Sequence, residues 1–147
     1  MIVRQATQDD LTFLAILFDE YRQFYGASSN LAQSQAFLSS RFHNEQCITF
    51  MSLKDDQLTG FIQLYFGFSS VECAHYYILD DVYVTPRFRR QGAAMQLIDT
   101  AIQYAKHKGA IRISVEAKKD NLEAKRLYDK LGFMQDDSFQ HYHCFVQ

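Results

Sequence analysis

Apolar positions along this chain change period several times, and each change marks an element. Ile2 to Ala6 reads as a short strand, after which Thr7-Gln8-Asp9-Asp10 has the S/T-x-x-D/E form that opens helices by satisfying free backbone amides. Leu11, Leu14, Phe18, Tyr21 and Tyr25 then fall on one helical face, and Gly26 to Asn30 supplies the stop. A shorter, weaker helical pattern carries Leu31, Leu38 and Phe42. Cys47 to Leu53 and Thr59 to Phe68 are rich in β-branched and aromatic residues, so they read as strands, with Lys54-Asp55-Asp56-Gln57 as a hairpin loop between them. His75 to Val84 is a further strand, closed by Thr85-Pro86. Helical spacing returns with Ala94, Leu97, Ile98, Ala101, Ile102 and Ala105 and ends at Lys108-Gly109. Ile111, Ile113 and Val115 alternate with polar residues as a half-buried strand. Asp120 or Asn121 caps a last helix carrying Ala124, Leu127, Tyr128 and Leu131, which Gly132 stops, and Phe139 to Val146 is expected to finish as a strand.

The order β-α-α-β-β-β-α-β-α-β-β combines antiparallel hairpins with a strand-helix-strand crossover. It implies a mixed sheet covered by helices on both sides. With 147 residues and no linker or repeat, the expectation is a single domain spanning 1–147. The chain is 48% hydrophobic and 22% charged, the balance of an ordinary globular protein. Its formal charge of -2 argues against a dedicated nucleic-acid binder and is compatible with a cationic substrate. No apolar run approaches the ~18 residues that a membrane helix needs, so no membrane partner is expected and the cytoplasm is the default compartment. Cys47, Cys73 and Cys144 lack C-x-x-C spacing, which reads as reduced thiols rather than a disulfide framework.

The stretch richest in chemistry is Asp80-Asp81-Val82-Tyr83-Val84-Thr85-Pro86-Arg87-Phe88-Arg89-Arg90-Gln91-Gly92-Ala93-Ala94, a strand, a basic turn and a helix start. The first amides of a helix have no intrahelical partner and the helix dipole adds positive charge there, so this is an anion site in outline. Gly92 lets a phosphate approach the backbone, and Arg87, Arg89 and Arg90 add charge. G-K-[ST] and G-x-G-x-x-G are both missing, which excludes a P-loop and a dinucleotide fingerprint.

The sequence here resembles the GCN5-related N-acetyltransferase superfamily, whose signature is Q/R-x-x-G-x-G/A between the fourth strand and the third helix. Arg89, Gly92 and Ala94 fill its fixed positions, and Asn121-x-x-Ala124-x-x-Leu127-Tyr128-x-x-x-Gly132-Phe133 is similar to the family's N-x-x-A-x-x-L-Y-x-x-x-G-F helix. The branch it looks most like is that of histone and polyamine acetyltransferases. The resemblance implies an α+β, three-layer fold with a mixed central sheet splayed between strands 4 and 5. It implies an acyltransferase with acetyl-CoA as co-substrate, acting by direct attack of an amine in a ternary complex. Val82, Tyr83 and Val84 would pair with the pantetheine arm, and Arg89, Arg90, Gln91, Gly92, Ala93 and Ala94 would hold the pyrophosphate. Asn121, Ala124 and Tyr128 would lie on the cofactor side, Asn121 either touching the pantetheine or bracing the helix.

An alkylammonium with pKa ~10.4 is almost never neutral at pH 7, so a proton acceptor is required. Asp80 and Asp81 are the candidates. Consecutive strand residues point to opposite faces, so one of them at most is expected to face the substrate, and alignment with a glutamate of the polyamine branch favours Asp80. Tyr128 matches the tyrosine that protonates the departing thiolate in relatives. Asp19, Tyr21, Tyr25 and Tyr65, with Phe66 and Phe68 nearby in sequence, are the candidate acceptor-binding residues, since aromatic faces and carboxylates suit a cation. A polyamine or a lysine-type amine, small or peptide-borne, is the first expectation, with an aminoglycoside or amino-acid amine open. His141 and His143 share one strand face and Cys144 the other, so no metal site is expected. A homodimer through the last strand accords with family habit.

Overall fold

The computed structural model describes residues 1–147, which form two compact units, Met1–Glu116 and Ala117–Gln147. The first unit carries strands β1 (Ile2–Gln5), β2 (Cys47–Lys54), β3 (Gln57–Ser69), β4 (Ala74–Val84) and β5 (Ile113–Val115) and helices α1 (Leu11–Phe24), α2 (Leu31–His43) and α3 (Ala93–His107). The strands lie side by side in the order β1-β2-β3-β4-β5, antiparallel except for the parallel β4/β5 pair. Local chemistry explains several boundaries. Asp10 accepts the Thr7 backbone N–H at 2.8 Å and a bidentate pair from Arg4, so the turn before α1 is tied to β1. The β2–β3 loop shrinks to Asp55-Asp56, with φ of 50° and 63°, the two-residue turn whose twist suits a hairpin.

Alternation along the strands sorts the core into two layers. Met51, Phe61 and Tyr83 face α1 and α2, where Phe18 meets Phe61 edge-on and Leu14, Ala15 and Leu38 are buried. Phe50 meets Tyr104 of α3 edge-on and Tyr77 packs tilted against it on the opposite face, with Leu97, Ile98 and Ala101 buried alongside. Helices therefore flank the mixed sheet on both faces, as the element order predicted. The second helix is stronger than its sequence pattern. It runs 13 residues because Asn30 caps it, accepting the Gln33 N–H, and because its start is pinned to α1.

The second unit holds α4 (Leu122–Lys130). Asn121 is its cap, accepting the Ala124 N–H at 3.1 Å, and Gly132 at φ 90° ends it with the Phe133 N–H bonded to the Tyr128 carbonyl. Phe139 to Val146, expected as a strand, is not one. Alternating apolar residues make a strand only beside a hydrogen-bonded neighbour, and this unit contains no second strand to pair with.

Candidate active site

Strand β4 is irregular where its chemistry lies. Its register against β3 runs from Gln63↔Asp81 directly to Leu64↔Leu79, so Asp80 is an extra, bulged residue. The bulge interrupts the strict alternation that would send Asp80 and Asp81 to opposite faces, and Asp80 is close enough to raise the Asp81 pKa. Asp81 is buried and accepts the Tyr21 hydroxyl at 2.7 Å, whereas Asp80 is exposed on a cavity wall. Burial pushes the Asp81 carboxyl up to about 7, the Asp80 carboxylate pushes the same way, and the Tyr21 hydrogen bond opposes both. Burial and Asp81 together raise the Tyr21 hydroxyl, which keeps its proton and remains a donor. A carboxyl that gains and loses its proton near neutrality is suited to general-base work.

On its other side β4 is open. It pairs with β5 only from Tyr77 to Leu79, leaving Asp80 to Val84 without a β5 partner, which is the splay that the resemblance implied. The Thr85 N–H donates to Thr59, so by two-residue alternation the backbone groups of Asp81 and Tyr83 face β3 while those of Val82 and Val84 face the opening. Tyr83, expected among the pairing residues, therefore presents no backbone group there; its ring is in the core and its hydroxyl donates to Glu20 at 2.9 Å. The Val84 carbonyl is taken by Arg89 Nε at 2.8 Å, leaving Val82 as the free rung.

The turn into α3 forms an amide cradle. Arg90 has φ 60° and Gly92 φ 85°, left-handed residues of the kind that build anion-binding nests, and the amides of residues 90 to 95 donate to no protein acceptor. A Cβ built on Gly92 meets nothing within 4 Å, so the space above the cradle is open. A diphosphate fits this donor set. Arg89 is braced with its guanidinium 5.1 Å from the Phe24 ring centroid and 5.3 Å from that of Tyr83. Lys54, which the sequence did not single out, donates to the Gln91 side chain at 2.8 Å and adds a cation beside the turn.

A cavity of about 820 Å³ opens beside Asp80, lined by Phe37, Arg41, Glu45, Gln46, Tyr65, Phe66 and Phe68 as well. Tyr65 is on its wall, its hydroxyl pushed up to about 12 by burial and held by Gln63 Nε2 at 2.8 Å. Tyr21 reaches the site through Asp81, and Tyr25 stacks edge-on against Tyr21. Asp19 is engaged within the protein rather than on the cavity wall. Its carboxylate is buried and accepts from Ser29, the Asn30 amide, Ser34 and Gln23, bonds that hold its pKa below the usual range and fasten α2 to α1. The sequence missed Phe37, Arg41 and Glu45. Nothing distinguished Arg41, because a basic residue in the last turn of a helix is ordinary. Its Nε is nonetheless buried with no hydrogen-bond partner, a condition that costs about 1–3 kcal/mol when the donor is left empty.

In the second unit, Asn121 spends its side-chain oxygen on capping α4, the bracing role. Ala124 supplies the capped amide, and Tyr128 lies 5.3 Å, centroid to centroid, from Phe133.

A family model described as the acetyltransferase (GNAT) family matches residues 13–133. The uncharacterized N-acetyltransferase YhfO of Bacillus subtilis (strain 168) is 37% identical over 97% of this chain and 95% of its own. The thialysine N-epsilon-acetyltransferase of Caenorhabditis elegans is 24% identical over 87% of this chain and 79% of its own. A crystal structure of a probable acetyltransferase, 38% identical, superposes on 100% of this chain and 99% of its own with a TM-score of 0.95. Matched over most of its sequence and all of its fold, the chain belongs to the acetyltransferase (GNAT) family.

Proposed function

We propose that this acetyltransferase acetylates a primary amine, of the lysine or polyamine type, by direct attack with both substrates bound. The observation that carries the reading is the bulge on β4, which joins a neutral-range carboxyl at Asp81 to an exposed one at Asp80 beside an open strand edge. Asp80 receives the ammonium at the cavity wall. Asp81, poised near pH 7, accepts its proton directly or through Asp80, which raises the neutral fraction that a pKa of ~10.4 otherwise keeps at about one in a few thousand. The order differs from the sequence expectation, which favoured Asp80 as the base; the burial of Asp81 supports that role for Asp81 instead.

Acetyl-CoA supplies an acetyl group already activated as a thioester. The free Val82 N–H, directed at the opening, is placed to donate to the acyl oxygen and stabilise charge developing there. The amides of residues 90 to 95, with Arg89 and Arg90, bind the pyrophosphate. Tyr128 is the acid for the leaving thiolate on the strength of the motif around it, its reference pKa of ~10 keeping it protonated against a thiol of ~8.5. Aromatic walls at Tyr65, Phe66 and Phe68 favour a cationic acceptor. That one relative is a thialysine N-epsilon-acetyltransferase agrees with a side-chain amine.

The test is thiol release from acetyl-CoA with a panel of diamines, lysine, lysine peptides and aminoglycosides. Turnover dependent on a primary amine is expected. Binding of acetyl-CoA without thiol release for any amine would refute catalysis and leave a cofactor-binding protein.

A further inference from the structure

We infer that the acceptor carries a carboxylate as well as the reacting amine, and that Arg41 selects it by holding that carboxylate. The inference rests on the acceptor reading of the cavity given above and names the class of molecule within it.

Arg41 is held as a receptor for an anion would be. Its guanidinium lies 4.6 Å from the Phe37 ring centroid, one helical turn earlier, which fixes its orientation. One Nη2 hydrogen bond to Ser40 Oγ at 3.0 Å completes the restraint. No carboxylate of the protein lies within ion-pair distance, although Glu45 and Asp80 line the same cavity, and the buried Nε–H has no acceptor. Arg41 lines the cavity with only its Nη2 engaged, and a guanidinium fork matches the bidentate geometry of a carboxylate.

The remaining charges place the rest of such a molecule. Asp80 marks the wall where the reacting ammonium arrives, and Glu45 offers a second site for an ammonium. An α-amino acid with a second amine on its side chain therefore satisfies every charged group in the cavity: side-chain ammonium at Asp80, α-carboxylate at Arg41, α-ammonium at Glu45. A simple diamine leaves Arg41 empty and brings a second cation into a cavity that already contains one. A peptide-borne lysine has no free α-carboxylate to offer.

The test compares lysine, lysinamide and 1,5-diaminopentane as acceptors with the full chain and acetyl-CoA. Lysine is expected to exceed the other two in kcat/KM by about 10- to 100-fold, the factor that a charge-assisted hydrogen bond contributes. Arg41→Gln should bring that ratio close to one, chiefly through KM for lysine, and Arg41→Lys should restore part of it. Because Arg41 bonds only Ser40 and packs on Phe37, both on its own helix, Arg41→Gln is expected to move the thermal midpoint little, which separates recognition from a structural role. Equal use of diamine and lysine, or an Arg41→Gln loss that falls equally on all three, would overturn the inference. If no acceptor releases thiol, calorimetric titration of the CoA-saturated protein decides: lysine binding lost in both lysinamide and Arg41→Gln upholds the carboxylate site while refuting catalysis. Equal binding of all three, or none, refutes the site.

Discussion

Asp81→Asn separates what this site costs the fold from what it does for the reaction. Asparagine keeps the shape of the side chain and an oxygen for the Tyr21 hydroxyl, yet it cannot ionise. In the folded chain the Asp81 carboxyl holds its proton to about pH 7, against the ordinary 3.8 of an aspartate in the open chain. Between those values the folded state binds the extra proton, so stability is full below about pH 4 and is lost as pH rises through 7. A difference of about three units is of the order of 4 kcal/mol at most, and roughly 2–3 kcal/mol of it falls between pH 5 and pH 8. Asp81→Asn should therefore gain about 5–10 °C in Tm on the parent between those two pH values, read by thermal unfolding at each. The same variant should lose about 10²- to 10⁴-fold in kcat/KM, the usual range for removing a general base. A Tm difference that stays constant with pH would refute the buried titration, and unimpaired turnover would refute the base.

Three other outcomes follow from the assigned roles. Tyr21→Phe removes the hydrogen bond that lowers the Asp81 pKa, so the acid limb of the kcat/KM profile should move up by about one to two units; an unmoved limb would disconnect the two residues. Gly92→Val forces a β-branched residue to φ 85° with its side chain in the open space above the cradle, which should cost about 1–2 kcal/mol in stability and weaken acetyl-CoA binding at least about tenfold by calorimetry. Unchanged affinity would reject the amide cradle. Tyr128→Phe should lower turnover by about 10²-fold while leaving cofactor affinity in place, and a full-speed variant would remove Tyr128 from the acid role.

Elements whose cause is local could be placed from the residues alone. Hydrophobic period located α1 and α3, β-branched and aromatic runs located β2, β3 and β4, and Thr7, Asn121, Gly92 and Gly132 marked turns and caps, because each acts through neighbours within a few residues. The two family motifs were legible for the same reason. The rest depends on contacts between distant segments. The bulge at Asp80 exists only in the register of β4 against β3, and burial of Asp81 rather than Asp80 is a tertiary fact. Whether Tyr83 or Val82 offers its amide to the opening depends on the same register. Asp19 looked like a cation site until the start of α2 folded back onto it, while Arg41 looked like an ordinary helix end until Phe37 and the cavity left its Nε without a partner. Charge and residue type can be read along a chain. Which hydrogen-bond partners each group is left with is set by residues far away in sequence, and that is what separates a latch from a binding site.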